Sequence, residues 1–170
     1  STRDCDDNSR VARFILAHAM LLSFPGVPAI YIQSILGSRN DYDGVERYGY
    51  NRAINRKKYA AGEMDRALDV NNSLRHKVYH ALTKLIAVRR SEKAFHPDSK
   101  VVFDTASKHV LKIVRAADNG ERIAGVFNFS DDIQEVYSDI RAGRELIAGC
   151  DISGTTLTLN PWQVMWIKEN

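Results

Sequence analysis

Residues 48–59, "YGYNRAINRKKY", hold Arg52, Arg56, Lys57 and Lys58 together with Tyr48, Tyr50 and Tyr59. A planar guanidinium can pair with a carboxylate or phosphate and donate to vicinal hydroxyls, and an ammonium supplies a compact point charge. Three uses of such a cluster are open. It can be a solvated charged loop. With tyrosines between the cations it can hold single-stranded nucleic acid by phosphate contact and stacking. It can also be a loop at the C-terminal end of a parallel strand, where barrel enzymes build their active sites.

Other residues invite sharper readings that their context opposes. His76 and His80 stand at i and i+4, a spacing that turns two imidazoles toward one metal. Lys77 occupies the place of the glutamate in the H-E-x-x-H pattern, so no metal site is expected. Asp4, Asp6 and Asn8 alternate like the start of a calcium loop, but Ser9 replaces the turn glycine and Ile15 the bidentate glutamate. A capped helix start is the better reading. Trp162, Met165 and Trp166 suit a strand core more than a ligand platform. Cys5 and Cys150 are far apart, make no disulfide framework or zinc site, and point to a reducing, cytoplasmic setting.

The chain as a whole bounds the answer further. A net charge of +3 from 24 basic and 21 acidic residues is too small for a dedicated polyanion binder, so no nucleic acid is expected. The longest apolar run, residues 27–32, falls far short of the roughly 20 residues that span a bilayer, so no membrane is expected either. The opening "STRDCDDNSR" has no initiator Met and no apolar leader, which suggests the tail of a longer polypeptide.

The elements that must position the cluster can be read from periodicity. Asp7 or Asn8 can cap a helix over residues 8–23, with apolar residues at Val11, Phe14, Ile15, Leu21 and Leu22. Pro25 and Gly26 end it, and "VPAIYI" reads as a parallel strand buried on both faces. The polar, glycine-punctuated stretch 35–69 is longer than an ordinary connection and so a place for function. Asn72 or Ser73 caps a helix running to about Ser91.

Beyond Phe95 the period falls from 3.6 to 2. Alternating segments flank Asn119-Gly120, a dipeptide suited to a type I′ hairpin turn. Further short runs, "IQEVYSDI", "RELIAG", "TTLTL" and "QVMWIK", complete an antiparallel β domain.

The stretch "ILAHAMLLSFPGVPAIYIQSILGSRND" resembles the segment around the eighth barrel strand of the α-amylase superfamily, glycoside hydrolase family 13. The string "ILGSRNDYDGVERYGYNRAINRKKY" is similar to the sucrose phosphorylase subfamily at Leu36-Gly37-Ser38, Asn40-Asp41, Arg52 and Ile54-Asn55-Arg56. "GVFNFS" and "LNPWQVMWI" resemble strands of the small domain that closes many of these enzymes.

The resemblance implies an α+β chain: the last helix–strand–helix part of a (β/α)8 barrel over residues 1–94, then a small antiparallel β-sandwich over 95–170. It implies a parent enzyme that transfers glucose from an α-glucoside to phosphate with retention and no metal or organic cofactor. Sucrose is the expected donor, with sucrose 6′-phosphate, glucosylglycerol or glucosylglycerate as alternatives. Such chemistry needs two carboxylates about 5–5.5 Å apart. In the family these come from earlier barrel strands, so no catalytic residue is expected in this chain.

By the same resemblance Arg52 binds the glucose, and Asn55, Arg56, Asn40 and Asp41 support the loop. Barrel helices deprived of their sheet leave apolar surface uncovered over residues 10–35, a face for self-association. The competing class is a carbohydrate- or nucleic-acid-binding β module without catalysis.

Overall fold

The computed structural model describes residues 6–170. The chain forms two compact units, one of residues 1–28 with 84–170 and one of residues 29–83. Neither edge coincides with the division expected at 94/95.

In the first unit, α1 (Asp7–Ser23) begins where the Asp6 carboxylate accepts the N–H groups of Asn8 at 2.7 Å and Ser9 at 3.0 Å. The cap is thus one residue earlier than expected, because only from Asp6 do both orphan N–H groups come within reach. Those bonds, with the Ser9 N–H first among them, hold the Asp6 carboxyl below its ordinary value. Asp6 is therefore spent on the helix; Asp4 and Cys5 lie outside the described residues.

The parallel strand expected at 27–32 is absent. Residues 28–31 pair with no ladder, and a single helical turn, α2 (Ile32–Ile35), starts in its place. A strand exists only through its neighbours' N–H and C=O groups, and among the described residues every strand pairing is antiparallel and none includes this stretch. Val27 is accordingly 85% exposed, and Leu21, Phe24, Tyr31 and Ile32 are exposed with it. Apolar side chains of the stretch 10–35 are thus left exposed in each of the two units, as the sequence led us to expect.

The β part matches its sequence pattern closely. Strands β1 (Lys100–Ser107), β2 (Val110–Ala116), β3 (Arg122–Asn128), β4 (Gln134–Tyr137), β5 (Ala142–Glu145), β6 (Cys150–Ser153), β7 (Thr156–Leu159) and β8 (Val164–Glu169) follow in order. They build a six-stranded sheet ordered β1-β2-β3-β8-β5-β6 and a two-stranded sheet β4-β7. Val110, Val114, Ala124, Val126 and Ile167 from the large sheet meet Val136, Leu157 and Leu159 from the small one in a single core.

The alternate residues of the same strands turn to the other face. There Trp166, fully buried, donates from Nε1 to Ser23 Oγ of α1 at 3.0 Å and packs 4.7 Å from the ring of Phe95. Trp166 is therefore core, whereas Trp162 is half-buried, has φ of +57° and lies 4.0 Å beneath the Arg13 guanidinium. Cys150 is exposed.

Two local details depart from expectation. The β2–β3 turn is not type I′, which would need positive φ at both central residues. Instead Gly120 N–H donates to Ala117 O at 3.1 Å, Ala117 N–H donates to Glu121 O at 2.9 Å, and Gly120 alone has φ of +90°. This is a type I turn closed by a glycine bulge, a longer loop that keeps the strands' twist.

The second departure is Arg115, a cation inside a strand that is wholly buried. Its guanidinium donates to Ser23 O at 3.2 Å and His96 O at 2.6 Å, while Arg89 donates to Leu22 O and, at 3.0 Å, to Gly26 O. These acceptors include carbonyls of the last turn of α1, where cations complement the helix dipole. Burial, with Arg89 nearby, lowers the Arg115 pKa from its usual value.

Candidate functional site

The second unit carries the cluster from residues 48–59. α3 (Tyr42–Tyr48) starts at Asp41, whose carboxylate accepts the Gly44 N–H at 3.1 Å. It ends at Gly49, where φ of +69° is a left-handed conformation that glycine adopts without strain. A 3₁₀ turn, Asn51–Asn55, follows. The Asp41 N–H donates to Ile54 O at 2.7 Å, so the start of α3 is stitched to the end of that turn.

Within the turn Ala53 is 2% exposed, while its neighbour Arg52 is exposed to solvent. The buried alanine anchors the backbone and leaves the guanidinium outside. The Arg52 side chain makes no hydrogen bond or ion pair among the described residues, and Asn55 and Arg56 are exposed beside it. Asn40 is exposed and donates from Nδ2 to Tyr42 Oη at 3.3 Å.

A separate recess lies in the same unit, behind the Arg52 turn in sequence. A pocket of about 430 Å³ is lined by residues that include Gly37, Arg39, Asn40, Lys57, Tyr59 and Arg75. Its walls are fixed by polar bonds. Gln33 donates from Nε2 to Lys57 O at 2.9 Å and accepts the Ser38 hydroxyl at 2.5 Å. Arg75, in the first turn of α5 (Leu74–Ser91), donates to Leu36 O at 3.2 Å and to Tyr59 Oη at 2.8 Å. Gly37 has φ of +57°, and a Cβ there would sit 3.3 Å from Val78 Cβ.

Of the expected site residues, the fold brings Asp41 together with the Arg52 turn and puts Asn40 on the pocket wall. Arg52, Asn55 and Arg56 do not line that pocket. Sequence reasoning missed Arg39, Lys57, Tyr59 and Arg75 as a group. One signal was available: Arg75 is a cation in the first turn of a long helix, where the dipole disfavours it.

The histidine pair has a local explanation. His76 Nδ1 lies 2.8 Å from Leu68 O, and the His76 and His80 rings pack with centroids 4.1 Å apart. Ser73 caps α5 as expected, accepting the His76 N–H at 3.1 Å. Among the described residues no group of three or more His, Cys, Asp or Glu is arranged to hold a metal, and no helix is long and apolar enough to cross a membrane.

No protein-family model matches the chain. The glucosylglycerate phosphorylase of Escherichia coli K12 is 58% identical over 168 residues, which is 99% of this chain and 30% of that protein. The glucosylglycerate phosphorylase of Allomeiothermus silvanus is 35% identical over 96% of the chain and 28% of its own length. The sucrose phosphorylase of Streptococcus mutans is 29% identical over 71% of the chain. The chain is homologous to the C-terminal region of the sucrose phosphorylase subfamily of the α-amylase superfamily.

The chain spans less than a third of the length of these relatives. Solved structures agree on the fold. The α-glucosyl transfer enzyme XgtA superposes with a TM-score of 0.69 at 19% identity, over 94% of this chain and 36% of that one. A maltogenic amylase from S. marinus superposes with a TM-score of 0.66 at 16% identity over 92% of this chain. The α+β arrangement described above is thus that of the C-terminal region in α-amylase family enzymes.

Proposed function

We propose that the chain belongs to a retaining glucoside phosphorylase whose donor is a glucosylglycerate, residues 1–94 forming the end of its barrel and 95–170 its closing β domain. The observation that carries the donor is the gradient of similarity. Glucosylglycerate phosphorylases align over 95–99% of the chain at up to 58% identity, whereas the sucrose enzymes align over 56–71% at about 30%. This reverses the order expected from the motif alone, which put sucrose first.

In this reading a carboxylate nucleophile from elsewhere in the parent displaces glycerate from the glucosyl carbon. Phosphate then attacks the glucosyl-enzyme and releases α-glucose 1-phosphate with retention. The chain contributes the loop that borders the glucose. Arg52 is exposed and without a protein partner among the described residues, as a group awaiting an aspartate of the parent and the sugar's hydroxyls would be. Asp41 holds the turn through its N–H bond to Ile54 O, and Asn55, Arg56 and Asn40 support the loop around it. The chain by itself holds neither catalytic carboxylate and turns nothing over.

The test is phosphate-dependent release of glucose 1-phosphate by the full-length protein from glucosylglycerate and from sucrose, with the 170-residue chain assayed beside it. We expect the higher kcat/KM on glucosylglycerate and no turnover by the chain. Preference for sucrose would overturn the donor, and turnover by the chain would overturn the division of labour.

A further inference from the structure

The pocket between residues 37–40, 57–59 and 67–75 has a lining of one sign. Arg39, Lys57 and Arg75 contribute to it, and no aspartate or glutamate does. Two of these cations converge on one ring: the Arg75 guanidinium carbon lies 4.7 Å and Lys57 Nζ 5.6 Å from the centroid of Tyr59. A concave surface lined by one sign of charge raises the local concentration of the opposite ion.

Two groups of the lining, Arg75 and Tyr59, are held by side-chain bonds. Tyr59 Oη accepts from Arg75, which leaves the phenol's own proton to donate elsewhere. The Lys57 main chain is held by Gln33, so an exposed ammonium stands on an anchored backbone. A lysine and an arginine with a tyrosine hydroxyl between them are a suitable set for an oxyanion, since charge-assisted bonds of this kind are about twice as strong as neutral ones. At about 430 Å³ the space suits a small anion or one unit of a disaccharide.

We propose that this pocket is an anion subsite, which takes the oxyanion of inorganic phosphate or the carboxylate of a glycerate unit through Lys57, Arg39 and Tyr59, with Arg75 as the group that orients Tyr59. The assignment rests on the phosphorylase reading for the identity of its ligands. It does not rest on it for the existence of the site, which follows from the charge and geometry of residues 37–75.

The experiment is calorimetric titration of the full-length protein with inorganic phosphate and, separately, with glycerate. The variants are Lys57→Gln, Arg39→Gln and the conservative Lys57→Arg, with melting temperatures measured for each. Arg75→Gln is avoided because it also removes the bond to Leu36 O. We expect Lys57→Gln and Arg39→Gln each to weaken one or both ligands about tenfold, with Lys57→Arg close to wild type.

Weakening of phosphate alone assigns the subsite to phosphate, and weakening of glycerate alone assigns it to the aglycone. Unchanged affinity for both in a folded Lys57→Gln or Arg39→Gln protein overturns the proposal. If the parent fails to phosphorolyse glucosylglycerate while Lys57→Gln still weakens an anion, the functional reading fails and the subsite stands. Phosphorolysis with anion affinities untouched by either variant reverses that outcome.

Discussion

Asp41 and Gly44 form a coupled pair whose energetics follow from a few distances. Asp41 caps α3 by accepting the Gly44 N–H at 3.1 Å, and Asp41→Ala orphans that donor at a cost of about 1 kcal/mol. A Cβ added at Gly44 would lie 2.7 Å from Asp41 Cγ and closer still to Oδ2, well inside the optimum of roughly 3.5–4 Å for carbon contacts. Gly44→Ala must therefore push the carboxylate off its cap, losing about 1 kcal/mol. That loss offsets the gain of about 1 kcal/mol that alanine has over glycine inside a helix.

With Asp41→Ala already present, the three atoms nearest the new methyl, all of the Asp41 carboxyl group, are gone, and the helix-propensity gain appears. The cycle then has a coupling of about 1 kcal/mol, read as roughly a fivefold change in local opening. Hydrogen–deuterium exchange of the amides at residues 45–49 in the full-length protein is the assay. Asp41→Ala should exchange about fivefold faster, Gly44→Ala and the double variant both within about twofold of wild type. A double variant as fast as Asp41→Ala would refute the argument, because the two positions would then be independent.

Four further outcomes are expected. In the full-length enzyme Arg52→Ala should lower kcat/KM by orders of magnitude and Lys58→Ala by less than about threefold, the difference between a transition-state contact and a surface charge; equal losses in steady-state kinetics would count against Arg52. Glu121 is partly buried, and desolvation by itself raises its carboxyl pKa, but bonds from Lys168 and the Ala94 N–H outweigh this and hold it below its ordinary value. Its contribution to stability is therefore present above pH 4.5 and lost as the pH falls through the folded value, so the urea midpoints of wild type and Glu121→Gln should converge in acid.

Gly143→Ala should destabilise the β domain by about 1–3 kcal/mol in denaturant titration, since its Cβ would press on the backbone carbonyl of Lys168 and lie 3.1 Å from Ile167 Cγ2. Gly62→Ala, in α4 (Ala61–Asp69) with nothing within 4 Å, should not destabilise at all. The isolated chain, with Val27 and Ile32 exposed, should associate with itself, and a monodisperse monomer by light scattering would contradict this.

How much of this was legible in the sequence depends on the range of the force involved. α1 and α5 repeat apolar residues every three or four positions and carry their own caps, so neighbours along the chain settle them. The later strands alternate and are punctuated by Gly, Asp and Pro, and they formed where that pattern put them. The motif around Arg52 pointed to the correct superfamily region, since residue order is what homology preserves.

The tertiary structure decided what needs partners distant in sequence. "VPAIYI" has the composition of a buried strand, yet among the described residues no strand pairs with it, and the chain turns into α2 instead. Arg115 looks like an ordinary strand cation, but carbonyls from α1 and from residues 96–99 let it be buried without a carboxylate. The type of the β2–β3 turn was set by strand twist together with Gly120, which alone of the turn residues takes positive φ. Likewise Lys57 and Tyr59 read as members of the 48–59 cluster, with no link to Arg39 or Arg75. Only the folding of 33–38 against 57 and 75 makes them one pocket, because electrostatic focusing depends on distance in space and not along the chain.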